Sequence, residues 1–235
     1  MLKSLRKTLW SAVVAGVAGT AAFADPILDS SLSFDQRHHA CLEAIAGDAE
    51  NAYESAATWV GRGGGFRARH CEAMALFALD HAGEAATRLD TLAAEFPKAG
   101  RDAELDRLRV NYFTEAAQAW LQAGELSRAW NSATQALDTD EGAAEARIVR
   151  ARVYLALERV EDADVDLTSA LAFNPDHAEL LRYRADVRRR LGRLDAALAD
   201  AEASLAIAPG VDTALIRGHI RQELNEELNT SETQP

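Results

Sequence analysis

Apolar residues in the C-terminal part of the chain recur every three or four positions, and this spacing predicts helices. One series runs from Leu194 to Leu205 with a single gap, and a second recurs every four residues from Ile216 to Leu228. Residues at such intervals lie on one face of a helix, where a neighbouring helix can bury them. Most residues around the second series are charged or polar, so it predicts a helix that is exposed on most sides.

The composition favours helices over strands. Aromatic residues make up 6% of the 235 residues, and alanine is abundant. Alanine is the best helix former, whereas strands favour β-branched and aromatic side chains. The sequence therefore predicts an all-α protein whose helices pack through small side chains.

Several positions in the second half of the chain recur at one fixed interval. Pro175 and Pro209 are 34 residues apart, and Gly124 and Gly192 are separated by twice this interval. Further matched sets are Leu137, Leu171 and Leu205; Ala129, Ala163 and Ala197; and Ala117, Ala151 and Ala185. Agreement among three other residue types in one frame indicates an internal repeat and not merely a high alanine content.

A 34-residue period with small residues where two helices would cross resembles the tetratricopeptide repeat. The resemblance covers three consecutive units, at residues 110–143, 144–177 and 178–211. It implies an α-solenoid of stacked antiparallel helix pairs, because a single unit cannot bury its apolar face alone. Glu158 and Glu141 depart from the family pattern, which has a turn glycine and a closing proline at these positions.

Two degenerate copies of the repeat precede these units within residues 25–97. They occupy 33–65 and 66–97 and keep the internal spacing of small residues. The next interval is longer than the period, so the connecting segment, residues 98–109, either lengthens a helix or makes a bend. The resemblance thus implies about five repeats in all.

The C-terminal end is predicted to be a capping helix over 212–228, followed by a disordered tail over 229–235. The last repeat of a solenoid lacks a neighbour on one side, so a helix with a narrow apolar stripe and an otherwise polar surface suits this place. Chain ends without apolar partners are usually disordered.

Function in tetratricopeptide proteins usually resides on the concave surface lined by the first helix of each unit, which holds a peptide or a partner's helix. The resemblance therefore implies a protein or peptide partner. Carried over residue by residue, the inward positions give nine candidate partner-binding residues: Gln118, Gln122, Ile148, Arg152, Arg182, Tyr183, Asp186, Arg189 and Arg190.

Three of these candidates are arginines that recur with helical spacing: Arg182, Arg189 and Arg190. Two roles are open for them. They either form a basic patch that binds carboxylates of a partner, or pair with acidic residues of their own chain. The nearby acidic residues in the sequence are Glu179, Asp186 and Asp195.

The first 24 residues have the order of a secretory signal peptide. Lys3, Arg6 and Lys7 precede an apolar run over residues 9–22, which ends in an A-x-A cleavage sequence at 22–24. An uncleaved membrane anchor is the weaker alternative, because the run is shorter than the roughly 20 residues that span a bilayer. We expect a periplasmic or secreted protein with no stable membrane insertion after cleavage.

The charge of the chain argues against nucleic-acid binding. The formal net charge is −12, and loss of the leader's three basic residues makes it −15. An acidic protein is repelled in general by nucleic acid and by anionic lipid. A protein partner therefore remains the expected one.

Two cysteines and three histidines form the only other unusual group: Cys41, Cys71, His38, His39 and His70. The resemblance places them on neighbouring first helices, so a Cys41–Cys71 disulfide is one interpretation, and it suits an exported protein. The alternative is a metal- or haem-handling protein, since thiolate and imidazole bind zinc and copper. The spacing matches no standard zinc motif, and no C-x-x-C-H haem-attachment sequence is present.

No catalytic constellation stands out in the sequence. The glycine-rich stretch 61–65 lacks the preceding strand and the following G-K-[ST] that a phosphate-binding loop needs. We therefore predict a binding protein and not an enzyme, with no catalytic residue, no metal and no cofactor.

Overall fold

The computed structural model describes the backbone of residues 25–97 and 102–233, and the side chains as far as residue 229. These residues form eleven α-helices and no strand, which confirms the all-α prediction. The predicted signal peptide, residues 1–24, lies outside the described residues. The helices are α1 Phe34–Ile45, α2 Ala49–Gly61, α3 Gly65–Ala78, α4 Ala82–Glu95, α5 Ala103–Gln122, α6 Leu126–Leu137, α7 Ala144–Ala156, α8 Val160–Phe173, α9 Ala178–Arg190, α10 Leu194–Ile207 and α11 Val211–Thr233.

Successive helices pack against each other in pairs, and the pairs stack into a solenoid, as the sequence predicts. The five pairs are α1/α2, α3/α4, α5/α6, α7/α8 and α9/α10, and α11 packs on the last pair. The first helices of neighbouring pairs also touch: α1 packs on α3, α5 on α7, and α7 on α9. A row of first helices therefore forms a continuous surface along each of these stretches.

Small residues let the helices approach closely. The six alanines that the repeat period places at helix crossings are all buried: Ala117, Ala129, Ala151, Ala163, Ala185 and Ala197. A larger side chain at these points would hold the helix axes apart, because protein interiors are close-packed and have no room to spare.

The described part of the connecting segment lengthens a helix. Asp102 caps α5 by accepting hydrogen bonds from the backbone N–H groups of Glu104 and Leu105, and the helix then runs for 20 residues. A capping carboxylate satisfies N–H groups that have no partner within the helix. Of the two alternatives left open for this segment, a longer helix therefore applies to its described part.

The C-terminal helix is longer than predicted. It runs from Val211 to Thr233, so the backbone of residues 229–233 is helical where a disordered tail was predicted. Residues 229–233 contain neither glycine nor proline. Extending an existing helix over them adds one hydrogen bond for each residue fixed. In the described part of the chain, no helix is long and apolar enough to cross a membrane.

Four helix pairs share one turn conformation. Asp80, Gly124, Glu158 and Gly192 all have a positive φ, between 59° and 76°. In each turn the next backbone N–H donates to the carbonyl five residues earlier, at 2.8–2.9 Å, which ends the first helix. Glu158 therefore departs from the family pattern in residue type but not in backbone conformation.

Replacing Gly192 by alanine is expected to lower the free energy of unfolding by about 1–2 kcal/mol, because a Cβ atom disfavours the left-handed conformation. Added at Gly192, a Cβ meets no atom within 4 Å, so the backbone alone determines the effect. Gly218→Ala, within α11 and equally open, is the matched control and should stabilise by roughly 0.5–1 kcal/mol. Urea unfolding of both variants checks this, and equal effects would contradict it.

Candidate functional site

The first helices α5, α7 and α9 line a cavity of about 280 Å³. Its apolar surface comes mainly from Val110, Ile148, Val149 and Tyr183. Its polar lining residues are Asn111, Thr114, Glu115, Gln118, Glu145, Arg152 and Glu179. An apolar surface with a few polar groups around it is the usual make-up of a binding site.

A second cavity, of about 550 Å³, continues from the first. The two share Val110, Asn111, Ala143 and Glu145. The second cavity extends past the start of α5 and the turn before α7, as far as His177. We call the two cavities together the central groove.

Four of the nine predicted partner-binding residues line the central groove: Gln118, Ile148, Arg152 and Tyr183. Gln122 lies outside its lining, and its side-chain amide donates to a carboxylate oxygen of Asp80 at 3.0 Å. The structure thus brings together the candidates on the middle of α5, on α7 and at the start of α9.

The three candidate arginines of α9 are paired within the chain. Arg182 pairs with Glu179 at 3.1 Å and lies over the ring of Tyr183. Arg189 and Arg190 both pair with Asp186, at 3.1 and 3.0 Å. Of the two roles left open, the internal pairs are therefore the ones formed, and they offset the charge of a basic patch.

One partner of these arginines is not among the acidic residues that the sequence suggests. Arg189 also pairs with Glu223 of α11 at 2.7 Å, whereas Asp195 is not a partner in any of the described ion pairs of α9. Glu223 lies one full repeat beyond Arg189 in the sequence. Only the packing of α11 against α9 brings the two side chains together.

Arg152 differs from the other candidate arginines. It lines the central groove, is partly buried, and has no ion pair among the described residues. A partly buried guanidinium without a carboxylate partner is uncommon, because burial costs hydration that a partner normally replaces. In the part of the chain that the structure describes, Arg152 is the only Lys or Arg side chain in the lining of the first cavity.

Two histidines and a glutamate connect the N-terminal pairs to the groove. Nε2 of His38 lies 2.7 Å from Nδ1 of His70, and Nε2 of His70 lies 2.7 Å from a carboxylate oxygen of Glu115. An ionised Glu115 only accepts, so His70 donates to it through Nε2. Which ring donates in the bond between His38 and His70 depends on the tautomers of the two imidazoles. The ring of His70 also stacks on Tyr112, with centroids 4.7 Å apart.

Cys41 and Cys71 form a disulfide between α1 and α3, which confirms that interpretation. Their Cα atoms are 6.1 Å apart, and both side chains are fully buried. The bridge occupies both sulfurs, so neither is available as a thiolate ligand. Within the described residues, no three His, Cys, Asp or Glu side chains are grouped to hold a metal ion, and the exposed His39 pairs with Glu43.

Solved structures of the same architecture match most of the chain. A tetratricopeptide repeat protein from Parabacteroides merdae ATCC 43184 has a TM-score of 0.63 at 17% identity, covering 84% of this chain and 74% of its own. A thermophilic TPR protein from Thermus thermophilus has a TM-score of 0.56 at 21% identity, covering 82% and 99%. The chain has the tetratricopeptide-repeat fold.

Other comparisons agree at the level of the fold. The MamA RS-1 ArsTM double mutant has a TM-score of 0.57 at 14% identity, covering 74% of this chain and 92% of its own. No protein-family model and no curated protein matches the sequence. The similarity that these structures share with the chain therefore lies in the tetratricopeptide-repeat fold and not in close sequence identity.

The period of the tetratricopeptide repeat would have identified more of the groove. Asn111, Glu145 and Glu179 are each one period apart, so they occupy the same position on three successive first helices. Thr114 bears the same relation to Ile148, and all five line the groove. The nine predicted residues do not include Asn111, Glu145, Glu179 and Thr114, because they do not repeat each inward position in every unit.

The pKa of His38 is lowered from 6.5 to about 4, by burial first and then by the neighbouring charges of His70 and Arg67. Asp35 acts in the opposite direction, and His39 adds a smaller lowering effect. Burial also raises the pKa of Tyr112, with a further contribution from Glu115. The neutral form of His38 is therefore favoured in the folded chain.

Stability should fall as the pH falls from about 6.5 to about 4. Over this range the unfolded chain binds a proton at His38 that the folded chain excludes, so the stabilisation is complete above pH 6.5 and is lost towards pH 4. With allowance for partial exposure we expect a loss of about 1–2 kcal/mol. Urea unfolding at several pH values should show a shallower slope for His38→Gln than for wild type or His39→Gln. Equal slopes would contradict the assignment.

Proposed function

We propose that the protein is an exported scaffold or assembly factor that holds a segment of a protein partner in the central groove. The observation that carries the proposal is the groove itself, which the first helices α5, α7 and α9 form together. No single unit contains it, so binding there requires the stacked fold. The proposal is of a binding protein and not of an enzyme.

The chemistry of the groove suits a peptide segment. Ile148, Val149 and Tyr183 offer apolar surface, whose burial favours association. The exposed amides of Asn111 and Gln118 lie beside this surface. Each amide can both donate to and accept from a peptide backbone, so the groove can satisfy an extended chain as well as bury its side chains.

The N-terminal residues and the disulfide support the proposed export. The leader has the charge and apolar pattern of a cleaved signal peptide. The Cys41–Cys71 bridge suits an oxidising compartment such as the periplasm or the cell exterior, where disulfides form and persist. Together they support a protein that works after export.

Site-specific photo-crosslinking tests the proposed function. A photoreactive residue at Gln118, exposed in the groove, is compared with one at Glu161, exposed on α8 outside the groove lining. We expect a protein that crosslinks from Gln118 and not from Glu161. Identical products from both sites, or none from either, would contradict the proposal.

A groove-filling variant provides the second arm of this test. Gln118→Trp places a bulky ring over the groove from an exposed position, so the fold should tolerate it. We expect the captured partner to bind this variant at least tenfold more weakly, while Glu161→Trp leaves binding unchanged. Circular dichroism and thermal unfolding of both variants establish that they are folded.

A further inference from the structure

Among the described residues, carboxylates outnumber guanidinium groups along the central groove. Three glutamates line the first cavity, where Arg152 is the single arginine: Glu115, Glu145 and Glu179. The second cavity adds two carboxylates and one guanidinium, those of Asp106, Asp140 and Arg107. The groove therefore presents a negative surface around its apolar residues.

Most of the negative charge of the first cavity is not offset by the protein's own arginines and lysines. Among the described residues, Glu115, Glu145 and the neighbouring Asp140 have no ion pair with either residue type. Glu115 bonds to His70, and a carboxylate oxygen of Glu145 lies 3.9 Å from Nε2 of His177. Glu179 is the exception, because it pairs with Arg182.

We propose that the segment which enters the central groove is basic and places lysine or arginine side chains against Glu115, Glu145 and Asp140. This inference rests on the proposed function and names the partner's chemistry. Charge-assisted hydrogen bonds to carboxylates are stronger than neutral ones, so each such acid beside the apolar surface favours a cationic side chain. The net charge of −12 also attracts a basic partner at long range.

Substitution of Arg152 tests whether the bound segment is positively or negatively charged. Its guanidinium group has no ion pair among the described residues, lies in the same cavity as three carboxylates and opposes a basic ligand. Removing it should therefore strengthen the binding of a basic peptide, whereas removing Glu145 should weaken it. An acidic peptide would respond in the opposite direction to both substitutions, and an uncharged one to neither.

The experiment selects random decapeptides displayed on phage against the purified wild-type protein and retains those that Gln118→Trp fails to bind. Synthetic fluorescein-labelled copies are then measured by anisotropy at low and moderate salt. The variants are Glu145→Gln, Arg152→Gln and Glu161→Gln. Glu161 is the matched control, because it is an exposed glutamate outside the groove lining.

We call the peptides that Gln118→Trp fails to bind groove-dependent, and we expect them to carry a net positive charge. Their Kd should rise about three- to tenfold with Glu145→Gln and fall at least twofold with Arg152→Gln. With Glu161→Gln it should change less than twofold. Groove-dependent peptides that are neutral or acidic, or equal effects of the two glutamate substitutions, would overturn the basic-partner inference but leave the proposed function standing. Failure to obtain any groove-dependent peptide would overturn both.

Discussion

Replacing Asp200 by alanine is expected to lower the free energy of unfolding by about 3–5 kcal/mol. Asp200 is buried in α10 and accepts bidentate hydrogen bonds from Arg184, at 2.7 and 2.8 Å, and a third from Arg188 at 2.8 Å. Without this carboxylate, the one hydrogen bond left to the guanidinium of Arg184 among the described residues is a 3.4 Å contact to Thr168. The cost is large because a partly buried guanidinium loses the group that replaces its hydration.

The matched control lies two positions further along the same helix. Glu202 pairs with Arg221 at 2.8 Å, but both side chains are about half exposed. Exposed ion pairs contribute little, so Glu202→Ala should cost less than about 1 kcal/mol. Urea unfolding monitored by circular dichroism measures both variants. Similar effects would show that the bridge at Asp200 adds no more than a surface ion pair.

Removing the disulfide by the double substitution Cys41→Ala and Cys71→Ala is expected to cost about 3–4 kcal/mol. The bridge closes a loop with a sequence separation of 30, and this restricts the unfolded chain. It also joins α1 to α3, so it fastens the terminal pair of the described solenoid to its only neighbouring pair. A terminal repeat has contacts on one side alone and opens most easily.

Reduced wild-type protein serves as the comparison for this double variant, because it lacks the bridge but keeps both sulfur atoms. Both should unfold at clearly lower urea concentration than the oxidised protein. A thiol assay on protein isolated from the oxidising compartment should find no free thiol. Free thiols in that sample, or a loss below about 1 kcal/mol in both forms, would contradict a structural disulfide.

Buried ion pairs repeat with the same period as the helices. Arg150 binds Asp166 with the same bidentate geometry that joins Arg184 to Asp200 one repeat later. The sequence contains this repetition, because the arginines and the aspartates each recur one repeat apart. That they bond to each other is evident only once the relative positions of the helices are known. The bridges therefore could not be predicted from the sequence alone.

In the candidate site, too, some positions follow from the repeat pattern of the sequence and others depend on how the helices pack. The inward register of α7 placed Ile148 and Arg152 in the groove, because residues at a fixed helical position face the same way in every unit. The pairing of Arg189 did not follow from the register. Its partner Glu223 belongs to α11, and the packing of the cap decides whether the two side chains meet.

From the sequence alone one can predict the helical class, the length of the repeat unit, the stacking of the pairs and the positions of the small residues. These follow from short-range periodicity and from the steric size of residues such as Ala151 and Ala185, which act within one helix pair. Only the tertiary structure brings His70 to Glu115 of the next unit and pairs Arg182, Arg189 and Arg190 with carboxylates. It also places Arg152 in an acidic groove with no ion pair among the described residues. Electrostatic contacts depend on distances of a few ångströms between elements, and only the assembled solenoid sets those distances.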